Sequence, residues 1–286
     1  MQVPEHTLSN GVKIPMLGFG TWKLKGQQCQ ELVSYAIQTG YRSIDTAAAY
    51  ENEEFVGQGI ANSGVAREEL FITTKLRNRY HGYDTTLFAF DESMKKLGLE
   101  TLDLYLIHWP GEDQFLPTWK AFVRLYEEKR IRAIGVSNFY PQHMELLYNE
   151  TGVRPMVDQI ETHPYLHQHE PIDYCRQHGI LVEAWSPLMV GGEAMRDPVI
   201  TAIAEKHGKS PAQTILRWHT QNGFAVIPKS ANQGRIQQNL NIFDFTLTEK
   251  EVAAINALTE KNVRVGDDPL TYRFKLLAQL KQEGLA

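Results

Sequence analysis

Titratable side chains of four different chemistries close short apolar runs in the first half of the chain, or follow closely after one. Tyr41-Arg-Ser-Ile runs into Asp45, and three alanines then lead to Tyr50. Leu70-Phe-Ile-Thr-Thr ends in Lys75, and Leu102-Asp-Leu-Tyr-Leu-Ile ends in His108. Each alone has an ordinary explanation. A histidine closing an apolar strand is more often a satisfied core residue than a catalyst, and a buried lysine needs only a carboxylate beside it. Asp45 would serve the lysine, but it accounts for neither the phenol nor the imidazole. Together the four suit proton delivery to a carbonyl oxygen. A phenol with an ordinary pKa of about 10 is a donor at neutral pH. A neighbouring ammonium favours the phenolate and should lower that pKa, easing donation. The imidazole can hydrogen-bond the same oxygen and orient it. None of the four carries electrons, so a hydride would have to come from a cofactor.

For these groups to meet, the runs that carry them must lie side by side. Thr7 to Pro15 reads as a hairpin about Asn10-Gly11. Eight short, nearly continuous apolar runs follow: MLGFGTW, YRSID, LFITTKL, LDLYLIH, RAIGVSN, MVDQIE, LVEAWSP and FAVIPKS. Between them, periodicity predicts helices near 51–63, 116–129, 141–150, 170–178, 197–207, 211–222 and 232–240. Further helices carry Leu32, Val33, Ala36 and Ile37, and Leu87, Phe90, Met94 and Leu97. Strands buried on both faces and alternating with helices imply a parallel sheet. Eight such units in about 250 residues imply a (β/α)₈ TIM barrel rather than an open doubly wound sheet, because no unit breaks the rhythm. The C-terminal strand ends of a barrel share one face, where chemistry is normally sited. Thr248 and Glu251 form a capping box for the last helix. The reading is of a single domain over 1–286, in which 263–286 is a loop over the barrel mouth and an amphipathic tail.

Composition narrows the partners. The 286-residue chain has a formal net charge of −5 and two cysteines, Cys29 and Cys175. Without a basic surface there is no reason to expect nucleic acid or an anionic membrane. Two cysteines suit a reducing compartment, and no apolar run approaches the ~20 residues of a membrane span. A cytoplasmic monomer acting on a small-molecule carbonyl substrate is the expectation.

The motifs GFGTW, GYRSIDTAAAYENE, FITTKL, LDLYLIHWP, GVSNF, AWSPL and IPKS followed by RIQQN stand in one order over nearly the whole chain. In that order the sequence resembles the aldo-keto reductases, the bacterial 2,5-diketogluconate and glyoxal reductase groups being nearest. The resemblance implies a barrel whose bottom is closed by the N-terminal β-hairpin and whose mouth binds NADPH in extended form. It implies Asp45, Tyr50, Lys75 and His108 as the catalytic tetrad, with Tyr50 as the acid. Ser137, Asn138 and Gln159 match residues that hold the carboxamide, and Trp185 stands where many members stack a tyrosine on nicotinamide. Ser186 and Leu188 are further cofactor contacts by the same resemblance. Lys229, Ser230 and Arg235 would grip the 2′-phosphate, while Gln238 and Asn239 face the adenine. No string here completes the G-x-G-x-x-G of a Rossmann fold, so phosphate must be held elsewhere. The strand-eight corner of a barrel is its usual place.

Trp22 and Trp109, with Tyr272 or Phe274, imply an aromatic pocket for small aldehydes, dicarbonyls or keto sugars. Two residues depart from the family. Asp158 replaces a frequent Asn and need not face the site. Arg77 replaces a frequent aromatic and belongs to the substrate pocket. By alternation Arg77 shares a side with Lys75, so it either reads a substrate carboxylate or turns out to pair with a surface acid such as Glu112 or Asp113. Two other functions compete. His163, His167 and His169 include an H-x-H pair that could ligate zinc in a metal-dependent hydrolase, although no carboxylate cluster accompanies it. A non-catalytic relative that retains the cofactor is the other, and the intact tetrad argues against it.

Overall fold

The computed structural model describes residues 3–111 and 114–272. A hairpin of β1 (Glu5–Thr7) and β2 (Lys13–Pro15) precedes eight parallel strands: β3 (Phe19–Gly20), β4 (Ser43–Asp45), β5 (Phe71–Leu76), β6 (Leu102–Ile107), β7 (Ile131–Ser137), β8 (Val157–Glu161), β9 (Leu181–Trp185) and β10 (Ala225–Val226). Each pairs with the next in sequence. Every residue of β5 and β6 is buried, which explains their largely apolar character.

The sheet closes on itself. Leu17 bridges Val226 in parallel, Val226 N donates to Met16 O at 3.0 Å, and Gly20 N donates to Pro228 O at 3.1 Å. Gly20 is required at this seam, since a Cβ there would lie 2.7 Å from the Ile227 carbonyl oxygen. The result is the (β/α)₈ barrel, with a two-stranded hairpin sheet beside it, and not the open doubly wound alternative.

Ten helices among the described residues surround and extend the barrel: α1 (Gly26–Thr39), α2 (Glu53–Ala61), α3 (Tyr83–Leu97), α4 (Phe115–Glu127), α5 (Pro141–Thr151), α6 (His169–His178), α7 (Pro198–Lys206), α8 (Pro211–Gln221), α9 (Gln233–Leu240) and α10 (Glu249–Asn256). The ranges read from periodicity differ from these by no more than two residues at either end. At α10 the capping box is formed: Glu251 N donates to Thr248 Oγ1 at 3.3 Å and Thr248 N to Glu251 Oε2 at 2.8 Å. Between β9 and β10 two helices replace one. Ile200, Ile203, Ile215 and Trp218 of this pair form a separate apolar cluster with Leu247 and Ile255, and Trp218 Nε1 donates to Asn256 Oδ1 at 2.7 Å. No described helix is long and apolar enough to cross a membrane. The tail from 273 onward, Phe274 included, lies outside the described residues, as do Glu112 and Asp113.

Strand alternation separates neighbours on β8. Gln159 lines the cavity at the barrel mouth, whereas Asp158 is buried outside it, 3.5 Å from the Phe139 amide nitrogen. Its second oxygen has no hydrogen-bond partner among the described residues. Burial pushes the carboxyl well above its ordinary range, the Phe139 contact opposing this only in part, so folding favours its protonated form. A carboxyl whose pKa is raised by folding favours the folded state below its unfolded pKa, and that stability is lost as pH rises toward the folded pKa. Asp158→Asn is therefore expected to raise stability at pH 7.5 by about 1–3 kcal/mol and to leave it unchanged near pH 4. Urea unfolding of both proteins at the two pH values measures this, and a gain independent of pH would contradict it.

Candidate active site

Asp45 ends β4, Lys75 lies one residue before the end of β5, and His108 follows β6, so adjacent strands deliver three of the four groups. Lys75 has no exposed surface; its Nζ donates to Asp45 Oδ1 at 2.6 Å and to Thr46 O at 2.8 Å. Tyr50 arrives by a tight turn, Ala48–Tyr50, whose small residues let the chain double back beside the strand end. That turn is pinned by Asn52, which accepts from Thr46 Oγ1 at 2.7 Å and donates to Thr21 O and Leu24 O. The Lys75 ammonium then lies 5.1 Å from the centre of the Tyr50 ring, and the His108 ring stands edge-on to that ring at 5.7 Å.

Electrostatics assign the protonation states. Burial, with smaller effects from Lys75 and His81, pushes His108 down to about 3, so its imidazole is neutral. Burial disfavours the Lys75 ammonium, yet Asp45 and Tyr50 outweigh it and hold the pKa above its ordinary value. Tyr50 requires a correction. Lys75 does pull its pKa down, but burial acts more strongly and Asp45 opposes the ammonium, so the net shift is upward. Tyr50 is thus a firmly protonated donor at neutral pH rather than an acidified one.

A cavity of about 1180 Å³ opens above these groups. Lys75 lies beneath it; every other described residue singled out from sequence as catalytic, cofactor-binding or substrate-binding lines it. At one end Asn138 Nδ2 donates to His108 O and Ser137 Oγ, and its Oδ1 accepts from Trp185 Nε1 at 2.8 Å. Ser137 Oγ donates to Gln159 O at 2.7 Å. At the other end are Ser186, Leu188, Gln238 and Asn239, with Lys229, Ser230 and Arg235. The eighth run was read as a strand through Lys229 and Ser230; β10 ends at Val226, and both residues sit in the loop before α9. Among the described residues neither Lys229 nor Arg235 forms an ion pair. Burial and then Lys23 lower the Lys229 pKa, as expected of a cation facing another cation. Such a corner suits an anion.

The rim is aromatic and charged. Trp22 is 44% exposed, and Trp109 stacks on Tyr272 with ring centres 4.3 Å apart. Tyr272 belongs to a loop held across the mouth by Glu161, whose carboxylate accepts from Val265 N at 2.5 Å and Gly266 N at 3.0 Å. Arg77 remains in extended backbone one residue past β5 and lines the cavity. It also forms an ion pair, and the partner is Glu51, at 3.2 Å. The histidine-rich segment does not assemble a metal centre: His163 pairs with Glu161, His167 packs on His169, and no described group of three or more His, Cys, Asp or Glu could hold an ion.

Residues 16–260 match the Aldo/keto reductase family. The chain belongs to that family. It is 54% identical to the glyoxal reductase of Bacillus subtilis, over 92% of this chain and 95% of that one. It is 52% identical to the 9,11-endoperoxide prostaglandin H2 reductase of Trypanosoma cruzi, over 92% and 94%. The Bombyx mori aldo-keto reductase solved with NADP superposes with a TM-score of 0.89 at 40% identity, over 95% and 97% of the two chains.

Sequence reading passed over one member of the site. Glu183, on β9, accepts from Gln159 Nε2 at 2.7 Å, and the same nitrogen donates to Asp45 Oδ2 at 2.9 Å. Burial, then the charge of Asp45, raises its pKa to about 7. The one signal in the sequence is that an acid two residues before Trp185 on a strand shares that residue's side, which does not name its partner.

Proposed function

We propose that this aldo-keto reductase reduces aldehydes or ketones to alcohols with NADPH, Tyr50 being the general acid. The observation that carries the reading is the fully buried Lys75–Asp45 pair beneath the Tyr50 ring. As a structural device it is poor, because well-packed apolar side chains usually replace a buried ion pair at no loss of stability. Its place under a phenol that stands edge-on to a neutral histidine, both lining a large cavity, fits proton delivery.

Reduced nicotinamide, when bound, supplies a hydride for the carbonyl carbon. Tyr50 Oη gives its proton to the carbonyl oxygen. His108, being neutral, offers that oxygen a hydrogen bond without competing as an acid. Lys75 stabilises the phenolate left behind, and Asp45 keeps Lys75 charged and in place. Ser137, Asn138 and Gln159 lie where the carboxamide would be held, and Trp185 offers a ring for stacking. The unpaired Lys229 and Arg235 fit a phosphate, and α9 begins beside them, with Asn232 accepting from Arg235 N. The glyoxal reductase relative and the aromatic rim support small dicarbonyls, aldehydes and keto sugars as substrates. Arg77 adds keto acids, because its pair with the exposed Glu51 is weak enough for a substrate carboxylate to replace.

Tyr50→Phe should keep NADPH affinity and lower kcat by about 10²–10⁴; near-normal turnover would remove Tyr50 from the mechanism. NADPH should bind tens to hundreds of times more tightly than NADH, since a charged hydrogen bond contributes about 1.5–3 kcal/mol. The margin should shrink in Arg235→Ala and at high salt, and titration by fluorescence quenching reads both. A keto acid should be favoured over its amide in kcat/KM by roughly tenfold. That ratio should rise in Glu51→Gln and collapse in Arg77→Trp; a ratio indifferent to both would show that Arg77 does not read substrate charge.

A further inference from the structure

Glu183 is a buried acid whose only hydrogen-bond partner among the described residues is Gln159. The two are direct cross-strand partners in the β8–β9 register. A carboxyl in such a place is costly unless its one contact matters. The contact has a geometric consequence. Gln159 has two amide protons, and both are taken: one by Asp45 Oδ2, the other by Glu183 Oε2. Its remaining polar atom, Oε1, can only accept, and Gln159 lines the cavity. If the amide turned over, Oε1 would face two carboxyl oxygens within hydrogen-bond distance. One bond to Asp45 would leave the amide free to swing about that contact; the second fixes its plane.

We infer that Glu183 is a positioning residue, which holds the Gln159 amide so that its Oε1 accepts a hydrogen bond from the amino group of the nicotinamide carboxamide. The inference rests on the nicotinamide reading of the cavity and assigns a role within it. Only an acceptor at residue 183 is needed, so the role does not depend on whether Glu183 is ionised.

The test compares NADPH with its 3-acetylpyridine analogue, which lacks the amino group, by equilibrium fluorescence titration. Binding of 2′,5′-ADP reports independently on the fold and the phosphate corner. Wild type should bind NADPH about tenfold more tightly than the analogue, the usual effect of leaving a buried acceptor unpaired. In Glu183→Met, of similar volume, the ratio should fall to within about threefold of unity while 2′,5′-ADP binding is unchanged. Glu183→Gln, which restores an acceptor, should keep the wild-type ratio. A wild type that does not discriminate, a Met variant that keeps the ratio, or a Gln variant that loses it overturns the inference. So does loss of 2′,5′-ADP binding in the Met variant, which would place Glu183 in the fold rather than at the amide. Failure of wild type to bind NADPH at all would instead overturn the cofactor reading beneath it.

Discussion

The bond between Lys75 Nζ and Asp45 Oδ1, with no solvent access to the lysine, constrains everything around it. Removing either partner would strand a buried charge, a loss of about 3–5 kcal/mol, so the two strands that carry them must keep a fixed separation. Direct pairing of β4 with β5 and of β5 with β6 provides this, and closure of the sheet at Gly20 prevents the strands from splaying. Asn52 extends the rigidity into the one loop that must be equally exact, the turn that brings Tyr50 over the ammonium.

On its other side Asp45 reaches Gln159, and through it Glu183, so the line from ammonium to carboxylate to amide to carboxyl crosses the barrel interior. One end of that line faces the ring of Tyr50, the proposed acid. The other reaches the part of the cavity assigned to the nicotinamide. A displacement of Asp45 would disturb both, which ties the acid and the cofactor site to a single anchor. Burial first, and then the nearness of Asp45, raises the Glu183 pKa.

Most of this was legible in the chain. Eight apolar runs with helical patterns between them specify a closed parallel barrel, and the polar residues ending them identify the catalytic face, because register and alternation leave such residues little freedom. Three things were not legible. The direction of the Tyr50 shift depends on how deeply the ring is enclosed, which a sequence does not state. Glu183 was hidden because an acid inside an apolar run resembles a strand-end residue until its cross-strand partner is known. Arg77 was placed correctly on the Lys75 side, yet its partner Glu51 adopts a left-handed backbone at φ 55°, a local turn that residue type alone does not announce.

Reaction and selectivity therefore rest on parts of different stiffness. The proposed proton donor and its supports come from strands or from a turn tied to them by buried hydrogen bonds. The rim is built from loop side chains held by fewer and more exposed contacts: Trp22, the Arg77–Glu51 pair, and Tyr272 on Trp109. Even the mouth loop has its anchor deep in the barrel, since Glu161 ends β8 and is itself completely buried beside His163. A substitution on the rim can reshape the entrance without disturbing the buried Lys75–Asp45 pair. On the proposed reading, a barrel of this kind can serve different substrates by exchanging rim residues such as Arg77 while the groups at its centre are kept.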